Sequence, residues 1–364
     1  MDGFETGWLL PLAGLAAGSA MGFFARRYHF CTMSALERHW YAGDSDGLRS
    51  WVLAATIALI VTQALLFTGA MDLSASFYLS PLFGWTGAIA GGLAFGFGMA
   101  LVGTCGFGAI VRLGGGSLRS LIVLAMLGLS ALATQKGLLA QMRIIFVDDL
   151  ALNLSAFGDQ SLPSLMHGAT GANMRPLLTI IIASAALIWI FRDASFRANR
   201  GKILAGTVIG LGVAFGWIAT SALAGKLFAP VQVEAASFVV PVGDTIMQLI
   251  TFTGELPDYG VGLVCGVLLG AALAARLADD VRWEACDDAR ELSRHLMGAL
   301  LMGTGGVMAL GCTIGQGISA VSVMAVSAPV VMISIAVGAR LGLAYLLEGS
   351  VRYAFRGNLS ERAG

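Results

Sequence analysis

Cys105 stands in Gly103-Thr104-Cys105-Gly106-Phe107-Gly108, and Cys312 stands in Gly311-Cys312-Thr313-Ile314-Gly315-Gln316-Gly317. Both segments lie inside strongly apolar stretches. A third thiol, in Phe30-Cys31-Thr32-Met33-Ser34-Ala35-Leu36, follows the first apolar stretch. A glycine costs a helix about 1 kcal/mol relative to alanine, so the glycines around Cys105 and Cys312 predict broken helices. A break within a membrane frees backbone N–H groups, which are tolerated only inside protein or along a hydrated cavity. The helix that restarts after a break points those donors and the positive end of its dipole at the cavity, which favours an anion. A thiol adds a weak donor and a soft acceptor. Sulfate and similar hard oxyanions are more naturally held by Arg, Ser and backbone N–H groups. Broken helices that carry bare thiols therefore point to a route for a sulfur-bearing solute. Its candidate lining is Gly103, Thr104, Cys105, Gly106 and Gly108 on one side, and Gly311, Cys312, Thr313, Gly315, Gln316 and Gly317 on the other. Thr313 and Gln316 supply side-chain hydrogen-bonding groups. Cys31-Thr32-Met33-Ser34 also has the look of a helix start, with Glu37 and Arg38 at its far end.

The remaining chemistry-bearing residues are less distinctive. Cys265 lies in a smooth apolar stretch and reads as a small core hydrophobe. Cys286 lies in a charged loop and reads as an incidental surface thiol. The five cysteines are odd in number and form no CxxC pair, so neither a disulfide framework nor a redox pair is expected. His29 is near enough to Cys31 in sequence to acidify that thiol, although a histidine at a membrane boundary is more often merely interfacial. His39, His167 and His295 form no ligand pattern with the cysteines, so no metal site is expected. Arg112 and Arg119 flank Gly114-Gly115-Gly116 and can attract an anion, but a basic cytoplasmic loop already accounts for them. Arg340 lies within an apolar stretch, where it is either a functional group or a side chain that snorkels to the interface. No Asp or Glu lies deep in an apolar stretch, which disfavours a carboxylate proton relay. No GxxxxGK[ST] loop is present, and no cofactor is implied.

These segments must be positioned by a membrane bundle. Of 364 residues, 57% are hydrophobic and only 12% charged, against about 25% charged in a soluble domain. Acidic and basic residues number 22 each, which gives no sign of a nucleic-acid partner. Residues 1–7 lack the cationic start of a signal peptide, so the first apolar run is expected to be retained. About 20 apolar residues are needed to span a bilayer. About nine runs qualify: 7–25, 51–70, 84–102, 118–135, 176–191, 203–223, 259–277, 296–310 and 330–347. Seventeen of the 22 basic residues then fall on the side that carries Arg26, Arg112, Arg197, Arg294 and Arg356. The positive-inside rule makes that side cytoplasmic, with the N-terminus outside and the C-terminus in.

A shift of 207 residues superposes Gly96 on Gly303, Gly98 on Gly305, Cys105 on Cys312 and Gly108 on Gly315. The spans that precede the two cysteines run in opposite directions, as in an inverted repeat with its solute site at the repeat interface. The expected units are a first membrane repeat over 7–135 and a second over 203–347. Residues 136–202 between them form an external loop, a connecting span and a basic cytoplasmic loop, and 348–364 form a cytoplasmic tail. Residues 143–175 read as a long external loop. Residues 237–253 are too short and punctuated to span, and read as a re-entrant or interfacial element, the counterpart of the Cys31 segment. The 279–294 stretch mixes both charges and reads as a solvated cytoplasmic turn.

In its three cysteine motifs, and in Gly114-Gly115-Gly116-Ser117-Leu118-Arg119-Ser120, the chain resembles the YeeE/YedE family of sulfur-transport membrane proteins. The resemblance covers nearly the whole span pattern and is most specific in the Cys312 motif. It is closest to the thiosulfate-uptake members. It implies an all-α, hourglass-shaped protein of the bacterial inner membrane, built of two pseudo-symmetric halves with re-entrant half-helices, that passes thiosulfate inward. Carried onto the matching motifs, Cys31, Cys105 and Cys312 become a relay that hands the ion along by S–H hydrogen bonds without a covalent intermediate. The resemblance also implies a separate small cytoplasmic sulfur-carrier protein of the TusA type as a partner. Some members of the family handle other sulfur or selenium species. The alternative from another class is a membrane thiol oxidoreductase or sulfurtransferase that forms a cysteine persulfide, which needs a nucleophilic thiolate and a resolving partner.

Overall fold

A computed structural model describes residues 7–172, 174–224, 231–251, 256–286 and 288–349 of the chain. The N-terminal region holds α1 (Leu9–Arg27), the short α2 (Thr32–Glu37) and α3 (Asp46–Phe67). A π-helical turn at Gly87–Gly91 leads into α4 (Gly92–Val102), which is followed by the short α5 (Gly106–Gly114) and by α6 (Leu118–Gln135). Next come α7 (Leu139–Arg143), α8 (Leu162–Thr170), α9 (Arg175–Phe191), α10 (Ala194–Ala198) and α11 (Arg200–Ala224). The last part holds α12 (Val240–Ile250), α13 (Tyr259–Leu277), α14 (Ala289–Met308), a π-helical turn at Gly315–Ala320 and α15 (Ser327–Glu348). The architecture is all-α and polytopic.

A helix lies at each of the nine expected spans. Among the described residues, seven helical stretches are long and apolar enough to cross a membrane, rather than nine. The other two have visible reasons. α9 is 17 residues long, about 25 Å at 1.5 Å per residue. α14 begins with Arg290, Glu291, Arg294 and His295, which dilute its apolar character. The predicted tail lies almost wholly outside the described residues, as do Lys226 and Thr253. The 143–175 stretch departs from the expected loop. It folds into α8, a π-helical turn and a strand, Leu152–Asn153, that pairs antiparallel with Leu82–Phe83. It is also pinned to the interior, because Leu162 N–H donates to Met324 O (2.8 Å) and Val326 N–H to Gln160 O (3.0 Å).

Close helix contact comes from small residues, since between lipid-immersed helices packing rather than water exclusion drives association. The densest pair is α1 with α13. Gly18 of α1 lies on the backbone of Leu263, and Gly266 of α13 on the backbone of Leu15, with no space for a Cβ at either. α1 packs along α13 and α3 along α11; α4 packs along α15 and α6 along α14. α4 also meets α14, and α1 meets α11. α5 lies beside α13, and the Gly315–Ala320 turn lies beside α3. Exchanging α1 with α11, α3 with α13, α4 with α14, α6 with α15, and α5 with the Gly315–Ala320 turn reproduces this list of neighbours.

One end of the bundle is closed by charge. Arg119 bridges Glu284 (2.8 Å) and Glu291 (2.7 Å), and Arg26 bridges Asp280 (2.9 Å). Arg282 N–H donates to Gly115 O and Glu284 N–H to Gly116 O, which ties the loop after α13 across the turn between α5 and α6. The expected solvated turn is therefore part of a structured basic end.

Candidate functional site

Three breaks converge in the core, and they share one construction. Two residues before each of Cys31, Cys105 and Cys312 the backbone turns left-handed, at His29 (φ 55°), Gly103 (φ 76°) and Leu310 (φ 54°). A residue of this kind ends a helix and satisfies its last carbonyls. Phe30 N–H returns to Ala25 O (2.9 Å), Gly103 N–H to Met99 O (2.9 Å) and Gly311 N–H to Gly306 O (2.8 Å). The cysteine then sits at or just before the start of the next helical segment. Cys31 and Cys105 are extended N-cap residues of α2 and α5. Cys312 accepts the Gly315 N–H on its Sγ at 3.4 Å, and Cys105 faces the Gly108 backbone N–H in the same i+3 relation. The Cys312 thiol thus occupies the place of a capping oxygen, whereas Cys105, the N-cap of α5, makes no side-chain cap bond.

The structure brings the three expected cysteines into one neighbourhood. Cys105 and Cys312 are buried and Cys31 is half-buried. Cys31 and Cys312 both lie within electrostatic reach of Cys105, and Thr313 adjoins it. Cys31 Sγ lies 3.9 Å from Thr104 Oγ1, so Thr104 lies beside the line between Cys31 and Cys105. Beyond Cys312 stand Ser237 and the Phe238 backbone, and Tyr78 follows beside Ser237. Cys265 and Cys286 are not among the groups that act on Cys105.

Glycines let the groups beside the thiols approach closely. A Cβ on Gly108 would strike Thr104 Oγ1 and come within 3.6 Å of Cys31 Sγ. One on Gly315 would lie 2.7 Å from Tyr78 Oη and 3.1 Å from Ser237 Oγ, and one on Gly311 would lie 3.3 Å from Tyr78 Oη. Gly106 is set against Phe238 O, and Gly317 against the Trp51 ring. Gly103 has open space around it and serves through its left-handed φ.

Polar groups along the line divide into struts and unpartnered donors. Gln316 is a strut. Its Nε2 donates to Ala309 O (2.8 Å) and Leu310 O (3.1 Å), and its Oε1 accepts from Ser327 Oγ (3.3 Å), so the amide holds the ends of the break. Arg112 is partly a strut, donating to Gly103 O at 2.9 Å. By contrast, the hydroxyls of Tyr78, Thr313 and Thr32 are buried without a hydrogen-bond partner among the described residues. Buried polar atoms are nearly always paired, which sets these hydroxyls, beside Cys105, Cys31 and Ser237, apart from the struts. Arg340 is held elsewhere, over the faces of Tyr41 (4.8 Å) and Trp40 (5.6 Å).

Tyr78 and Ser237 were beyond sequence reasoning. Tyr78 lies in a polar connection with no motif around it, and Ser237 opens a stretch legible only as re-entrant. That stretch does fold as the short α12, whose 11 residues reach about 17 Å. It is locked by Ser319 Oγ donating to Ala236 O (2.8 Å). Glu234 lies on the extended run before it, acting electrostatically on Tyr78 and Tyr259. The apolar stretches are free of deep carboxylates, yet the connection between two of them brings one to the interior.

Fold and site together define a multi-pass helical membrane transporter with a thiol-bearing core. The chain belongs to the sulphur transport family, whose description matches residues 27–341. It is similar to the thiosulfate transporter TsuA of Escherichia coli (strain K12), at 24% identity over 334 residues covering 86% of this chain and 88% of that protein. It is also similar to the thiosulfate transporter TsuA of Spirochaeta thermophila, at 26% identity over 325 residues covering 86% of this chain and 92% of that protein.

Proposed function

We propose that this protein takes up thiosulfate across the bacterial inner membrane by passing it along Cys312, Cys105 and Cys31 through transient S–H hydrogen bonds. The carrying observation is the grouping of three thiols beside buried hydroxyls at Tyr78 and Thr313 that have no hydrogen-bond partner by geometry among the described residues. Thiosulfate presents one soft sulfur and three hard oxygens. The thiols match the sulfur, while the hydroxyls of Tyr78 and Thr313 match the oxygens. The relatives named as thiosulfate transporters support the same substrate.

The self-matching list of helix neighbours supports two inverted repeats, 7–135 and 203–347, that meet at the thiol line. The charged end, which holds Arg26, Arg112, Arg119 and Arg294, is the cytoplasmic one by the positive-inside rule, so the N-terminus lies outside. On that side a separate TusA-type sulfur carrier receives the ion. The protein acts as a conduit and not an enzyme. The test is flux in liposomes holding the purified protein, with thiosulfate, sulfate and sulfite compared. Selective thiosulfate flux is expected. Equal flux of sulfate, or a stable persulfide on Cys105 found by mass spectrometry after incubation with thiosulfate, would overturn the hydrogen-bonded relay.

A further inference from the structure

At the charged end, next to the thiol line, lies a cavity of about 200 Å³ whose lining includes Thr104, Arg112, Ser117, Ser120, Arg294 and His295. Thr104 is the residue that touches Cys31, so the cavity opens where the line ends. Positive-inside bias explains basic residues near a membrane surface, but it does not explain a buried histidine facing them. His295 is 7% exposed and its Nδ1 is buried without a hydrogen-bond partner. The charged groups that face it are Arg294, Glu291, Arg119 and Arg112.

These charges are not balanced. Arg119 is held by both Glu284 and Glu291. Arg112 donates one of its N–H groups to a backbone carbonyl, and neither Arg112 nor Arg294 has a carboxylate partner among the described residues. Two exposed guanidinium groups with no carboxylate partner among the described residues, two serines, a buried histidine and the Arg119–Glu291 pair line a space large enough for a small oxyanion. The guanidinium groups and serines are hard donors, of the kind that hold sulfate- or phosphate-like oxygens.

We infer that this cavity is a release subsite for a small divalent oxyanion, held by Arg112, Arg294 and His295 after it leaves Cys31. This rests on the transport reading and extends it. The thiols select for sulfur, whereas this subsite does not; it draws the ion off the last thiol by its oxygens. Phosphate, sulfate and thiosulfate share the chemistry that it recognises.

The test uses the full-length protein in liposomes of known orientation, with thiosulfate offered from either face. Arg294→Gln and His295→Ala should each raise the half-saturating concentration at the charged face about tenfold, the loss of one charge-assisted hydrogen bond, with little change at the other face. Equilibrium binding forms a second arm. Cys105→Ala protein, whose line is interrupted, should still bind thiosulfate, sulfate should compete for that binding, and Arg294→Gln should weaken it about tenfold. An equal rise at both faces, no rise at either, or no thiosulfate binding to Cys105→Ala protein would each overturn the subsite. If wild-type liposomes carry no thiosulfate while the binding arm behaves as expected, transport falls and the subsite stands.

Discussion

At the scale of single residues the proposed roles divide between groups that would meet the solute and groups that hold them in place. Cys105 and Cys312 sit at restarting helices, with the backbone N–H three residues on turned toward their sulfurs. Cys105→Ala and Cys312→Ala should each lower thiosulfate uptake by more than about tenfold, with unchanged amounts of protein in the membrane, because a methyl group can neither donate to nor accept from a passing ion as a thiol does. Cys265→Ala should leave uptake within about twofold, as befits a thiol that acts as a small hydrophobe. Tyr78→Phe removes only a buried hydroxyl that makes no hydrogen bond by geometry among the described residues. Its effect should fall on flux, a loss of about threefold to tenfold for one hydrogen bond, while the melting temperature holds or rises. A fall in melting temperature with normal flux would assign Tyr78 to packing instead.

At the scale of elements, the breaks depend on struts and on glycine. Gln316 holds Ala309 O and Leu310 O where the helix before Cys312 ends. Gln316→Leu leaves both carbonyls without their donor and should cost about 1–3 kcal/mol of stability, read as a lower melting temperature in detergent together with reduced uptake. Gly315→Ala differs in kind. Its Cβ would enter the gap beside Tyr78 and Ser237, so flux should fall while melting changes little. Gly266→Val acts away from the line, forcing α13 off α1. Overpacking of this sort costs about 1–3 kcal/mol, and thermal melting of the purified protein is the measurement that reads it.

At the scale of the whole molecule, the proposed orientation rests on the charged end. With that end cytoplasmic, Ser293→Cys in a Cys286→Ala background should react with a membrane-impermeant maleimide only after cells are permeabilised. Gly137→Cys, at the opposite end, should react in intact cells. The reverse pattern would invert the topology drawn from the positive-inside rule. Among the described residues seven long apolar stretches, with the shorter α9 and the charge-tipped α14, make up the bundle, and broken backbone at membrane depth is tolerated only inside such protein or along a hydrated cavity.

The sequence alone determined the all-α membrane class, the position of every long helix and the three cysteine breaks. Hydrophobic run length and glycine placement are local properties, and the bilayer penalises any other solution. It missed the folded 143–175 stretch, whose anchoring to Met324 and Val326 is made across more than 160 positions of chain. It also missed Tyr78, Ser237 and the strut role of Gln316, since none of these carries a local signature. Only the tertiary structure decided which thiols share a line, which hydroxyls lack partners and that His295 faces Arg294 and Arg112. Those relations arise when distant segments pack into one core, where burial removes water as a partner and leaves each polar group to what the fold brings beside it.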